Sequence, residues 1–329
     1  MWAKNILVAN HHLHKSGGTE TYTYAIVAEL VASGYNVEYF TFCRGDIARR
    51  LETDFSVRFM TRNHYDLILA NHNTCVDYLF HKGFLLQTCH GIFPSLEQPS
   101  SNADGYVAIS GEVEAHLRQL GYNSRVIFNG INLDRYISRK PINERLQKVL
   151  SLCHSEQAHS ILRTVCDRIG ATLTVLDKYK NSVWEVAKLI NEADLVVGVG
   201  RSAYEAMACG RPVVIFDHRE YYPACGDGYV KDILEKSIFN NCSGRCSGKN
   251  FNADDMEQEF AKYTPADGLF FRAFAEKNLN IQTAIKNYLD YYNSFKKKSW
   301  FSISQIKLNR LNQKLKPGLQ QYFINPADQ

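Results

Sequence analysis

The chain has 329 residues, 45% of them apolar and 22% charged, a length and composition that suit a globular protein of two ordinary domains. A formal net charge of only +4 gives no reason to expect nucleic acid as a partner, and nine scattered cysteines suit reduced thiols rather than a disulfide framework. No apolar segment near Met1 is long enough for export or membrane spanning, so a cytoplasmic location is expected.

Apolar strand-like runs alternate with helical patterns along most of the chain. A first strand over Asn5 to Ala9 leads through a loop carrying His11, His12, His14 and Lys15 to a helix from about Thr19 to Ser33, which Gly34 stops. Further strands are predicted at Asn36 to Phe42, Ser56 to Met60, Leu67 to Ala70, Leu85 to Cys89, Gly105 to Ile109 and Arg125 to Phe128, with a helix over Gly111 to Leu120. The polar stretch Asn132 to Arg145, with Pro141 and little periodicity, reads as the connection between domains. A second series follows: strand Lys148 to Cys153, helix Ser155 to Ile169, strand Thr172 to Leu176, helix Val183 to Glu192, strand Asp194 to Val199, helix Ser202 to Cys209 and strand Pro212 to Phe216. A long aromatic-rich helix is expected from Gly268 to Phe295. Alternation of this kind means parallel βαβ units with right-handed crossovers, and two series mean two doubly wound domains. The expected division is residues 1–135 and 145–284, with helices from about 285 to 329 packing back on the first domain.

The segment Gly200 to Val214 carries the most chemistry. It reads as a glycine turn after a strand, a helix, a glycine stop and another strand. A helix opening directly after Gly200 presents unpaired backbone N–H groups and the positive end of its dipole at the carboxyl edge of a parallel sheet, where phosphates bind. Glu205, a turn further in, can accept hydrogen bonds from a neutral diol such as a ribose, and a nucleoside diphosphate supplies both groups. The plainer alternative is ordinary punctuation by Gly200 and Gly210, with Glu205 a helix residue near a favourable dipole.

Five segments taken together resemble family four of the glycosyltransferases, which has the GT-B fold. They are Gly17-Gly18-Thr19-Glu20 after the first strand, Thr88-Cys89-His90-Gly91, the run Ala103 to Ser110, the run Val126 to Asn132 with its Asn129-Gly130 turn, and Ser202 to Val214. The resemblance implies an α/β protein of two Rossmann-like doubly wound domains facing across a cleft. It also implies transfer of a sugar from a nucleotide-sugar to a glycan, glycolipid or other glycoconjugate, with retention, without a metal and with no cofactor beyond the donor. His90 and Glu205 are the expected catalytic residues. Gly200, Arg201, Ser202, Ala203, Tyr204, Glu205 and Arg245 are expected to bind the donor, and His14, Gly17, Gly18 and Glu20 to form an acceptor or phosphate loop. In an inverting enzyme, His14 or Glu20 is the candidate base.

Two departures stand out. The position of the family's first donor-site glutamate is Val197, and Leu152-Cys153-His154-Ser155-Glu156 offers neither the arginine nor the lysine that neutralises the diphosphate. Loss of such cations slows a reaction that builds charge on its leaving group. Arg201, Arg211 and Arg245 are the candidates to compensate, and the pattern Gly226 to Val230 with Asn241 to Arg245 resembles that of a subset of these transferases. A nucleotide- or sugar-binding homologue without activity, and a sugar-nucleotide epimerase of the same fold, remain as alternatives. Lys296, Lys297, Lys298 and Trp300 read either as a contact to an anionic membrane surface or as a solvated helix end. His218, Cys225, Cys242 and Cys246 are too irregularly spaced to be expected as zinc ligands.

Overall fold

The computed structural model describes residues 4–177, 183–218 and 226–296. The chain divides into two compact units, one of Met1–Ile109, Val113–Phe128 and the segment from Gln282 onward, the other of Ser110–Glu112 and Asn129–Ile281.

The first unit is built on a seven-stranded parallel sheet. Its elements in chain order are β1 (Asn5–Ala9), β2 (His12–Leu13), α1 (Gly18–Ala32), β3 (Asn36–Phe40), β4 (Cys43–Arg44), α2 (Asp46–Phe55), β5 (Arg58–Phe59), β6 (Tyr65–Ala70), α3 (Asn73–Leu79), β7 (Gly83–Cys89), β8 (Gly105–Ala108), α4 (Gly111–Gln119) and β9 (Ser124–Val126). The main sheet runs β5-β3-β1-β6-β7-β8-β9, while β2 and β4 pair separately. The central strands are apolar throughout because helices cover both faces of such a sheet. Leu7, Ala9, Ile68, Leu85 and Ala108 pack with Val76, Val113 and Leu117 from α3 and α4.

Strand order reverses between β1 and β6. Ligands of open α/β sheets bind outside the strand ends at such a switch, and His11, His12 and His72 lie immediately beyond these two strands.

The second unit contains β10 (Lys148–Ser151), α5 (Glu156–Ile169), β11 (Thr172–Val175), α6 (Val186–Glu192), β12 (Leu195–Gly198), α7 (Arg201–Ala208), β13 (Val213–Phe216), β14 (Gly226–Tyr229), α8 (Leu234–Phe239), α9 (Ala253–Phe260) and α10 (Asp267–Asn278). Its sheet order is β11-β10-β12-β13-β14, with β14 antiparallel to β13 and the others parallel. The switch lies between β10 and β12, so the loop opening α7 follows one of its two strands. Val149, Leu195, Val197, Val214 and Phe216 pack against Leu162, Val165, Met256 and Phe260 of α5 and α9.

Three sequence expectations are revised. The helix expected over Gly268 to Phe295 is two helices, α10 and α11 (Ile281–Lys296), interrupted at Leu279 and Asn280. There the Ile131 N–H donates to the Leu279 carbonyl, and the Ile281 N–H donates to that of Ile131, so a strand-like bridge replaces a helical turn. The strand expected over Ser56 to Met60 shrinks to Arg58–Phe59 because Ser56 takes a left-handed conformation, φ 55°, to end α2.

The stretch Asn132 to Arg145 belongs to the second unit and is fastened there by two buried side chains. Asp194 accepts from the backbone N–H groups of Asn143, Gln147 and Lys148. Arg211, with no solvent exposure, donates to the carbonyls of Lys140, Asn191 and Cys209 at 2.8–3.0 Å.

Residues 297–329, and with them Lys297, Lys298 and Trp300, lie outside the described residues, as does the Lys296 side chain. Among the described residues no helix is long and apolar enough to cross a membrane.

Candidate active site

In the second unit the expected donor helix is α7. Gly200 turns the chain with φ 58°, ψ −127°, a conformation that strains any residue bearing a Cβ. Its N–H donates to the Cys242 carbonyl at 2.8 Å, and its carbonyl accepts from Ala203 and Tyr204. The first-turn N–H groups of Arg201 and Ser202 have no acceptor among the described residues, as an anion-binding helix start requires. Over this start lies the loop after α8, where Asn241 and Cys242 are both left-handed (φ 56° and 47°) and Asn241 Oδ1 accepts from the Tyr204 hydroxyl at 2.9 Å. Ala203 is buried in the same turn.

Glu205 sits where expected, but its carboxylate is engaged. Arg201 Nε donates to Glu205 Oε1 at 3.0 Å, the two side chains being 10% and 9% exposed. Arg201 Nη1 donates to the Gly130 carbonyl at 3.1 Å, which joins the donor helix to the Asn129-Gly130 turn. Burial, followed by the charge of nearby Glu205, pushes the Tyr136 phenol well up.

The other proposed phosphate cations have partners of their own. Arg211 is spent on backbone carbonyls inside the unit, so it cannot reach a diphosphate. Arg245 is held by both carboxylate oxygens of Glu112, with Nε 2.7 Å from Oε1. Val197 lies in the core of the sheet with no exposed surface. The loop after β10 carries no cation; the His154 N–H donates to the buried Asp217 at 3.3 Å.

In the first unit, His90 follows β7. Its Nε2 donates to Asn71 Oδ1 at 3.1 Å, an orientation set because Asn71 Nδ2 donates to Thr23 Oγ1 at 2.8 Å. The Tyr22 ring meets His90 edge-on at 5.0 Å, and the Tyr22 hydroxyl is fixed by Tyr288 of α11 at 2.7 Å.

Around His90 lie histidines whose grouping the loop spacing foreshadowed only in part. His72 Nδ1 accepts from the His11 N–H at 3.1 Å, and the His11 and His12 rings are 4.3 Å apart. Burial, then the charges of His90, His11 and His12, depress His72 to about 3. Burial and His12 likewise lower His11 to about 4. These imidazoles are therefore neutral at pH 7. His14, by contrast, is exposed.

Gly17 and Gly18 open α1 as expected, but the close approach at Gly17 is made by Glu20. A Cβ on Gly17 would fall 2.3 Å from Glu20 Oε2, whereas around Gly18 the space is open. Glu97, on the short turn Ser95–Glu97, has its carboxylate over Gly91 in the same way. Burial and the Glu20 charge raise Glu97 to about 7. No sequence motif marked Glu97, Asn71, His72 or Tyr136, since each acts through a contact distant in the chain.

No protein-family model matches the chain, and no curated protein matches it. Solved structures do. HepE of Anabaena, crystallised with UDP-glucose, is 15% identical over 88% of this chain and 99% of its own, with a TM-score of 0.59. A glycosyltransferase of Rickettsia africae is 14% identical over 90% and 99%, TM-score 0.60. An alpha-glucosyltransferase in complex with UDP and DNA is 11% identical over 89% and 100%, TM-score 0.56.

The fold is GT-B. At these identities the likeness speaks for the GT-B architecture alone, and the chemistry rests on this chain's own residues.

Proposed function

We propose that this GT-B protein is a glycosyltransferase of the family-four type, moving a sugar from a nucleotide-sugar to a glycan, glycolipid or other glycoconjugate with retention and without a metal in the transfer itself. The observation that carries this reading is the start of α7. Two first-turn N–H groups without acceptors among the described residues lie one turn from a carboxylate, at the switch point of a doubly wound sheet. In this reading the diphosphate is held by the Arg201 and Ser202 N–H groups, the helix dipole and the remaining donors of the Arg201 guanidinium. Glu205 accepts from the ribose hydroxyls, and His90 hydrogen-bonds the transferred sugar or leaving phosphate. A glycosyl transition state carries oxocarbenium character, so stabilising the departing diphosphate is the main electrostatic task. The HepE and alpha-glucosyltransferase structures contain UDP-glucose or UDP, which makes uridine nucleotides the first probes. The same reading places the enzyme in the cytoplasm, touching anionic membrane through Lys296, Lys297, Lys298 and Trp300, and vesicle sedimentation tests that contact.

Titration calorimetry with UDP and other nucleoside diphosphates tests the donor site. Saturable binding that Glu205→Ala weakens by about tenfold, the loss of one charge-assisted hydrogen bond, supports it. Equal affinity in both proteins removes Glu205 from the site, and no binding of any nucleotide turns the reading to a repurposed homologue.

One observation favours a second reading, transfer with inversion. A carboxyl held near pH 7 beside another carboxylate suits a general base, and Glu97 beside Glu20 is such a pair. The anomeric configuration of the product by NMR separates the two.

A further inference from the structure

The segment after β1 and the short strand β4 bring together three side chains that the proposed transfer chemistry does not use. His11, His12 and Cys43 each offer a ligand atom, and these atoms all lie within 4.8 Å of one another. We propose that His11, His12 and Cys43 form a binding site for a borderline-soft divalent metal ion of the zinc class, with a fourth position left for water.

The backbone explains the convergence. His12 and Cys43 are register partners in the parallel pair β2–β4, so their side chains stand on the same face of that small sheet. His11 precedes them, and its carbonyl accepts from the Phe42 and Cys43 N–H groups, both at 3.1 Å, and from Thr41 Oγ1 at 2.8 Å. Asn10 Nδ2 donates to the His12 carbonyl at 2.8 Å. The following turn is closely packed as well, since a Cβ on Gly45 would fall 2.4 Å from His14 Cα. The three ligands therefore project from a backbone that is already tied down, as a preorganised site requires.

The side-chain chemistry agrees. His11 Nδ1 bonds Thr74 Oγ1 at 2.7 Å. A metal-binding histidine uses its second ring nitrogen in this way to fix its tautomer and orientation. The proposed site requires Nδ1 to donate to Thr74, which makes Nε2 the ligand atom of His11. Edges of a zinc tetrahedron with nitrogen and sulfur ligands are about 3.3–3.6 Å, given bonds near 2.0 and 2.3 Å. From separations of up to 4.8 Å, binding requires side-chain rotation to close the site to these edges. Two imidazoles and a thiolate select zinc-like ions over magnesium or calcium, which prefer oxygen. On binding, Cys43 gives its proton to solvent and coordinates as the thiolate. This assignment goes beyond the sequence reading, in which the resemblance implies transfer without a metal. It stands whether or not the donor site is as proposed.

The test uses the full chain, stripped with a chelator and titrated with Zn²⁺ alone against a chromophoric competitor, then with Co²⁺ as a spectroscopic substitute. The expected result is one tight equivalent of Zn²⁺ and a thiolate-to-cobalt charge-transfer band in the near ultraviolet. Cys43→Ser should abolish the band, and His11→Ala should weaken uptake more than tenfold. Thr74→Val, which leaves all three ligands in place, should weaken it by about tenfold. Circular dichroism of each variant confirms folding, and the cobalt band of the unaltered chain needs no variant at all. Failure of the unaltered chain to take up Zn²⁺ saturably, or a cobalt band that persists in Cys43→Ser, overturns the proposal.

Discussion

Arg201 and Glu205 close on each other across one turn of α7, Nε to Oε1 3.0 Å, in a setting that leaves each about one-tenth exposed. Removing either partner strands a nearly buried charge, which costs more than the pair itself contributes. Arg201→Ala and Glu205→Ala are each expected to lower unfolding free energy by about 2 kcal/mol, and the double variant by less than the sum. Denaturant titration of the four proteins measures the coupling. Strict additivity would show that the two side chains do not interact in solution.

Glu38 on β3 gives a pH signature. Burial by itself would raise its carboxyl, but hydrogen bonds from Tyr65, Thr61 and Arg58 bring it down to about 2. A folded-state value below the unfolded 4.5 means stability that is present above pH 4.5 and is lost as pH falls from there towards 2. Glu38→Gln should therefore cost about 2 kcal/mol at pH 7 and almost nothing near pH 2. Thermal melts of both proteins across that range check it.

The opposite sign holds for Glu97. With its folded value raised to about 7, the folded state binds the extra proton between about 4.5 and 7, and stability from this group falls as pH rises through that window. Glu97→Gln should gain about 1–2 kcal/mol over the parent at pH 8, while the two proteins converge near pH 4. If the transfer inverts, kcat/KM should also rise with pH around 7 in the parent, and an unchanged profile in Glu97→Gln would exclude Glu97 as the base.

Tyr288 anchors α11 to the first unit through its hydroxyl, 2.7 Å from Tyr22 and 2.8 Å from Thr88, with no solvent exposure. Tyr288→Phe removes one hydrogen bond from each of two buried hydroxyls, those of Tyr22 and Thr88. A loss of about 1–2 kcal/mol in urea unfolding is expected, with His90 repositioned only slightly, since Tyr22 meets it through its ring.

Much of this architecture was readable beforehand because buried parallel strands are continuous apolar runs flanked by glycine. Asn5–Ala9 was found at its observed bounds, and β6, β7, β10, β12 and β13 within about two residues, as expected for apolar runs. The interruption at Leu279 and Asn280 was not legible, because no glycine or proline marks it and the cause is a backbone bridge to Ile131, far away in sequence. Nor were β2 and β4, since two-residue strands have no period. At the candidate site, Gly200 and Glu205 announced themselves by spacing. The partners of Arg211 and Arg245 did not, because an arginine reads alike in sequence whether it meets phosphate, a carboxylate or three carbonyls. The histidine grouping was half visible: His11, His12 and His14 are neighbours in the chain, whereas Cys43 and His72 arrive through strand order.

The brevity of β5 has a consequence for how copies of this protein meet. It ends the seven-stranded sheet with two residues, and Arg58 within it is drawn onto Glu38 of the neighbouring strand. So short a border, with a charged side chain across it, offers almost no ladder for a foreign strand to extend. On that side the first unit is guarded against edge-to-edge aggregation, because its margin offers a foreign strand no backbone ladder to extend.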